Sequence, residues 1–300
     1  MKIRNLAAAI LAVLSVCGCK SVADRGTEPI DHVSTLVGTL SKHSLSTGNT
    51  YPAVAMPWGT HFWTPHTGRL GDGWAYVYTA DRIRGFKQTH QPSPWMNDYG
   101  QFSIMPVTTG PFWEEDQRAS WFSHKAETAT PYLYSVYLAD HDTFVELAPT
   151  ERAAAFRITY PEREMSYLVL DAYTMSQVKV EGKRISGYVT NNSTGVPENF
   201  RTYFILESDT PFETVKEING DRSYALVGFR TERGQQVNLK VASSFISPEQ
   251  AEFNLGELGD GNIDRIASDG RQKWNDLLSR IEIEDDVEAK VLSEKLLNYF

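Results

Sequence analysis

Short runs of alternating apolar and polar residues dominate the middle of the chain. Tyr99–Thr108, Tyr132–Leu138, Thr143–Ala148, Ala153–Tyr160, Tyr167–Ala172 and Gln177–Val180 each read as a β-strand. So do Arg184–Thr190, Arg201–Glu207, Phe212–Ile218, Ser223–Phe229 and Val237–Ser243. All are short and rich in Val, Ile, Tyr, Phe and Thr, and many show a period of two. Glu181-Gly182-Lys183 and Asn219-Gly220-Asp221 fall between strands, where Gly and Asn tolerate the positive φ of hairpin turns. Many strands at this spacing predict a mainly β fold, a sandwich of two large antiparallel sheets. Asp31–Thr60 reads as loops and short strands. Gly85–Gly100 is polar, aromatic and broken by two prolines, which predicts an ordered loop rather than a central strand.

The period lengthens after Ser247. Ser247-Pro248-Glu249-Gln250 has the form of an N-cap, an N1 proline and an N3 partner. Ile263, Ile266, Ala267, Trp274, Leu277, Leu278 and Ile281 then recur at helical spacing, interrupted by Gly270. Asp285-Asp286 opens another helical pattern, with Ala289, Leu292, Leu296, Tyr299 and Phe300 on its apolar side. An apolar helix running to the last residue is expected of a larger protein cut short.

The chain has 300 residues, 41% of them hydrophobic, and a formal charge of -9, enough for a sizeable core. The acidic balance argues against nucleic acid and anionic membrane surfaces as partners. Met1–Gly18 reads as a signal peptide, with Lys2 and Arg4 before the apolar stretch Leu6–Val16, which is too short to span a bilayer. Cys17 and Cys19 are the only cysteines, so the folded body has no disulfide framework. Val16-Cys17-Gly18-Cys19 resembles a bacterial lipoprotein cleavage site with Cys19 as the lipidated residue and residues 19–29 as a tether; an ordinary secretory signal is the alternative. On the lipoprotein reading the protein is exported to the periplasm or outer membrane, and meets the membrane only through its anchor.

Between Tyr51 and Tyr99 lie Trp58, Trp63, Trp74 and Trp95 together with His61, His66 and His90. Sugars offer apolar C–H faces to aromatic rings and hydroxyls to polar side chains, so this region is a candidate sugar platform. Trp58, between Pro57 and Gly59, is expected in the core, and Trp121 and Trp274 as packing residues. Trp74 and Trp95, in polar loops, are the better contact candidates. His61 and His66, five residues apart around Pro65 with no cysteine to complete a set, make a poor zinc pair. His90 is followed in the same loop by Asn97 and Asp98; holding that loop together is its alternative role. Glu114-Glu115-Asp116 reads as a solvated acidic turn. No nucleophile elbow, P-loop or dinucleotide fingerprint occurs, and no two carboxylates are paired across a substrate. The residues themselves give a sugar-contacting surface without a complete catalytic set.

Several motifs in order carry a family resemblance. Val37-Gly38-Thr39 is followed by Gly48-Asn49-Thr50-Tyr51-Pro52 and Pro57-Trp58-Gly59. A second block holds Ile83, Gly85-Phe86, Thr89-His90, Asp98-Tyr99-Gly100 and Met105-Pro106. Trp274-Asn275 leads to Ile281-Glu282-Ile283-Glu284. From about Ile30 to Phe300 the chain resembles glycoside hydrolase family 92, the bacterial exo-acting α-mannosidases. The resemblance implies a β-supersandwich over residues 30–246, linker helices over 247–300, and a following (α/α)6 barrel. It implies calcium-dependent, inverting hydrolysis of terminal α-mannosides. The general acid, the base and the calcium ligands would belong mainly to the barrel, so the 300 residues alone are expected to be inactive. It further implies that Trp74 and His90, with Asn49, Trp95 and Asp98, contact a mannose-containing glycan at the pocket rim. The chain departs from the family pattern at Trp58, where Phe is frequent, and at Gln91-Pro92-Ser93-Pro94-Trp95, which bears on linkage specificity. The rival expectation is a free-standing carbohydrate-binding lipoprotein without catalysis.

Overall fold

The computed structural model describes residues 28–40, 50–71, 75–90, 100–190 and 196–281. Its strands in chain order are β1 (Phe62–His66), β2 (Arg82–Ile83), β3 (Gly85–Thr89), β4 (Phe102–Val107), β5 (Ser120–Trp121) and β6 (Glu127–Ala129). They continue with β7 (Tyr134–Leu138), β8 (Thr143–Pro149), β9 (Ala153–Tyr160), β10 (Arg163–Thr174) and β11 (Ser176–Glu181). The last five are β12 (Arg184–Val189), β13 (Thr202–Ser208), β14 (Thr214–Ile218), β15 (Arg222–Thr231) and β16 (Gln235–Ser244). A six-stranded sheet runs β1-β3-β4-β10-β15-β14 and an eight-stranded sheet β11-β12-β13-β16-β9-β8-β7-β6. All pairings are antiparallel, as the alternation predicts. Each run read as a strand overlaps one, and β10, β15 and β16 extend beyond theirs at both ends. The hairpin glycines differ: Gly182 has φ 60, whereas Gly220 is not among the positive-φ glycines.

The facing sides of the sheets form the core. Trp63, Phe86, Phe102 and Ile104 from one sheet meet Tyr134, Phe156 and Phe204 from the other. Trp63 packs edge-on to Phe156 at 5.2 Å and Phe102 lies 4.8 Å from Phe204, separations at which aromatic pairs attract. Gly85–Thr89 corrects the loop expectation: it is an interior strand between β1 and β4, buried along its whole length.

The outer face of the eight-stranded sheet is covered by helices. Ala148, Ala153, Ala155 and Ala242, with Ile205, present a shallow apolar surface. Onto it pack α2 (Pro248–Leu255) and α3 (Ile263–Leu278) through Ala251, Leu255, Ile263, Ile266 and Ala267. Small strand residues let the helices come close while both surfaces leave water. The Ser247 hydroxyl accepts from the Gln250 amide at 3.1 Å, the expected cap. Gly270 is required for contact: a Cβ there would lie 3.0 Å from Tyr132 Cβ and 3.2 Å from Met56 Sδ. The segment Pro29–His32 grips α3 from outside. Arg271 pairs with Asp31 and with Glu28, both at 2.5 Å, and the Ile30 amide donates to Asn275 Oδ1 at 3.1 Å.

Loops and α1 (Glu115–Arg118) cover the other outer face. One register row across it reads Thr64, Lys87, Ser103, Asp171, Tyr224, all buried. Asp171 accepts from Arg118 at 2.9 Å and from Arg222 Nε at 3.0 Å. Arg118 also donates to the Trp113 and Arg84 carbonyls and to Ser103 Oγ. Glu115 is no solvated turn residue: it is buried, 3.1 Å from Arg222, and accepts the Leu70 amide at 2.5 Å. Ion pairs with several hydrogen bonds each are how a face this polar can be buried.

Candidate functional site

One end of the sandwich gathers chemistry from both sheets. Phe62 opens β1 opposite Thr89, the last residue of β3, so His61 and His90 flank the same edge. There too β4 begins, just after Gly100 and Gln101, and β13 begins at Thr202 beside the end of β16, Tyr203 being paired with Ser244. Gln88 points inward and its amide donates to Ser243 Oγ at 2.9 Å, stitching sheet to sheet. The same amide lies 3.2 Å from His90 Nε2. With Gln88 as donor, that nitrogen is the acceptor and the ring proton sits on Nδ1. The His90 ring rests on Phe245 at 4.6 Å, and Phe245 stacks on Phe200 at 5.2 Å. Gly100 has φ 63 and a Cβ there would fall 1.7 Å from Thr202 Oγ1, so only glycine lets the chain leave the 91–99 segment at this point.

His61 lies beneath this edge, buried and edge-on to Trp63 at 6.2 Å. Burial pushes its pKa down to about 3, with the nearby His90 adding to the effect, so the ring is neutral at physiological pH. His66 faces the opposite side of β1, where its Nδ1 meets the Gly68 carbonyl at 3.1 Å. Burial first, then Arg118 and Lys87, hold its pKa well below the ordinary histidine value. The two histidines therefore do not converge. Among the described residues no three His, Cys, Asp or Glu side chains are grouped to hold a metal ion.

Trp58 overturns its core assignment. It is 86% exposed and has φ 63, in a turn held by Gly59 N to Met56 O at 3.0 Å and Thr60 N to Glu151 O at 2.9 Å. A bulky residue in the left-handed region is an outlier that the surrounding contacts must sustain. Glu151 sits in the hairpin joining β8 to β9, beside the end of β16, so Trp58 stands at the same end of the sandwich as His90. Ile246 and Phe253 are exposed next to the end of β16 and on α2. Trp121 is half exposed rather than packed. Trp274 does pack, its indole donating to the Ala55 carbonyl at 3.0 Å.

Of the site residues expected from sequence, His90 is brought into this cluster. Asn49, Trp74, Trp95 and Asp98, and the lipidation candidate Cys19, lie outside the described residues. Gln88, Phe200, Ser243 and Phe245 were missed. Phe245 had one legible signal, an aromatic residue two positions past the strand run ending at Ser243.

The family model for the glycosyl hydrolase family 92 N-terminal domain matches residues 32–244. The solved family GH92 inverting mannosidase BT2199 from Bacteroides thetaiotaomicron VPI-5482 is 39% identical, with a TM-score of 0.85 over 92% of this chain and 39% of that one. The family GH92 α-mannosidase BT3965 from Bacteroides thetaiotaomicron shares the fold at 23% identity, with a TM-score of 0.78 over 90% of this chain and 40% of that one. The same enzyme has been solved in complex with mannoimidazole. No curated protein matches the chain. The chain spans about two fifths of the length of these solved relatives. On the family match and the 39% identical relative, the chain belongs to glycosyl hydrolase family 92, as its N-terminal domain.

Proposed function

We propose that this sandwich forms one wall of the sugar pocket of an exported α-mannosidase, and that His90 is its principal contact with the glycan. The supporting observation is the convergence of Gln88, His90, Phe245 and Phe200 at one end of a domain 39% identical to part of an inverting mannosidase. A relative's complex with mannoimidazole supports a mannose-type ligand. A histidine backed by an aromatic ring suits a hydroxyl beside an apolar sugar face. Inversion needs an acid on the leaving oxygen and a base on a water at the opposite face of the ring, ~6.5–9.5 Å apart. In this reading both come from residues outside the 300, in a helical barrel, while Asn49, Trp74, Trp95 and Asp98 complete the rim. Calcium, expected from the resemblance, finds no grouped ligands among the described residues, and no step is assigned to it.

In the domain division that goes with this reading, residues 1–18 direct export, 19–29 tether the protein through Cys19, 30–246 form the sandwich and 247–300 the helical linker. No helix among the described residues is long and apolar enough to cross a membrane. The test is hydrolysis of α-mannobiose. In the complete enzyme His90→Ala should raise KM with a smaller change in kcat. The purified 300-residue chain should be inactive; turnover abolished by a point mutation within it would refute the assignment. Cys19→Ser should release the protein from membranes.

A further inference from the structure

The outer face of the eight-stranded sheet is not covered along its whole length. The helices lie over the alanine rows near the His90 end. At the opposite end the register places Tyr137 beside Phe144, Phe144 beside Thr159 and Thr159 beside Gln236, on four adjacent strands. Tyr137 is 40% and Phe144 36% exposed. Directly opposed residues stand ~5 Å apart between their Cβ atoms, so the two rings form a continuous apolar strip. A cavity of about 730 Å³ opens over them, walled by Pro161, Arg163, Glu164 and Arg233. That volume holds one or two hexose rings.

The strip is set in place rather than loosely exposed. Tyr137 donates its hydroxyl to Asp142 Oδ1 at 2.8 Å, which fixes the phenol ring. Asp142 itself takes φ 51 in the turn before β8. Around the rings stand carboxylates of Asp142, Glu162 and Glu164 and guanidiniums of Arg163 and Arg233. The mixed signs nearly cancel, which disfavours a strongly charged ligand and leaves many donors and acceptors. A neutral ligand with one apolar face and a fringe of hydroxyls matches both features, and a pyranose ring has both. The length of β8 separates this cavity from the His90 end by ~20 Å, too far for one sugar ring to bridge.

We infer that the Tyr137–Phe144 cavity is a second carbohydrate-binding surface, separate from the His90 pocket wall, that takes one or two neutral pyranose units of a glycan. It does not depend on the pocket-wall reading. The test is calorimetric titration of the purified protein with α-mannotriose and with cellotriose, comparing Phe144→Ala, Tyr137→Ala, Tyr137→Phe and His90→Ala. Phe144→Ala and Tyr137→Ala should each weaken binding of the preferred trisaccharide by about tenfold. Tyr137→Phe, which keeps the ring, should stay close to wild type, and His90→Ala should leave this binding intact. Because both aromatic side chains face solvent, circular dichroism should show all four variants folded. Absence of binding to either sugar, or binding lost in His90→Ala and unchanged in Phe144→Ala, would overturn the inference; the second result would still favour the pocket wall.

Discussion

The two outer faces of this sandwich are covered by opposite means, loops over the six-stranded sheet and helices over one end of the eight-stranded sheet. The eight-stranded sheet offers alanines to amphipathic helices, and the association is apolar and shallow. The six-stranded sheet offers Lys87, Ser103 and Asp171 to loops carrying Arg118, Arg222 and Glu115, and the association is ionic and hydrogen-bonded. Helices carry their own backbone hydrogen bonds and need only an apolar surface. Loops arrive with unpaired backbone groups, and the buried charges satisfy them: Arg118 alone caps two carbonyls, and Glu115 takes the Leu70 amide. Shape dominates the first face and pairing the second.

Breaking the ionic face should have the largest effect. Asp171→Ala leaves Arg118 and Arg222 without their shared partner and should lower the urea unfolding free energy by about 3–5 kcal/mol. Overfilling the helix-covered face should cost less. Ala155→Leu inserts a branched side chain where the helices lie and should destabilise by about 1–3 kcal/mol, with protection from hydrogen exchange lost in α2 and α3 first.

Acid should separate the faces. On the loop-covered side His66 and His141 are held neutral, in each case chiefly by burial, below the ordinary value of 6.5. The unfolded chain takes up those protons and the folded one does not. Their contribution is therefore full above about pH 6.5 and is lost progressively as pH falls below it. On the helix side Asp31 and Asp264 are held below 3.8 by hydrogen bonds from Arg271 and Arg157. Their contribution is present above 3.8 and is lost as pH falls through their lowered values. Amides of β3 and β4 should lose protection as pH falls below about 6.5, before those of α3 do; His66→Gln should flatten the slope. The smallest effect belongs to Arg184, whose guanidinium reaches both oxygens of Glu252 on α2 at 2.9 Å from a half-exposed position. Arg184→Ala should shift the unfolding midpoint by an amount worth about 0.5 kcal/mol and respond to added salt.

The same contrast explains what could be read from sequence. Strands β7 to β16 alternate because most have one face inward and one face wet or helix-covered, and every one was legible. In β3 all five residues are buried, including Lys87, Gln88 and Thr89, so its polar half carries no period and reads as a loop. Glu115 failed for the same reason, since a buried ion pair and a solvated carboxylate spell the same letter. Ser247 was legible because a cap is local; Gly270 read only as an interruption of the helix, since its contact with Tyr132 and Met56 is made far along the chain. At the site, His90 was visible from its loop motif. Its partner Gln88 bonds Ser243, 155 residues away, and the two are joined only by the meeting of the two sheets. Trp58 was misplaced because its exposure depends on a left-handed turn tied to Glu151, far along the chain.

The grip of Glu28 and Asp31 on Arg271 has a mechanical side. The described residues begin at 28 and end just after α3, and these two stretches are lashed together within one turn of helix. Tension applied through residues before 28 and after 281 would load this clasp first, pulling on a few ion pairs and the Ile30–Asn275 hydrogen bond. The sheets would stay outside the load path until the clasp gave way. A load applied at those two points would thus leave the two sheets undistorted until the clasp opens.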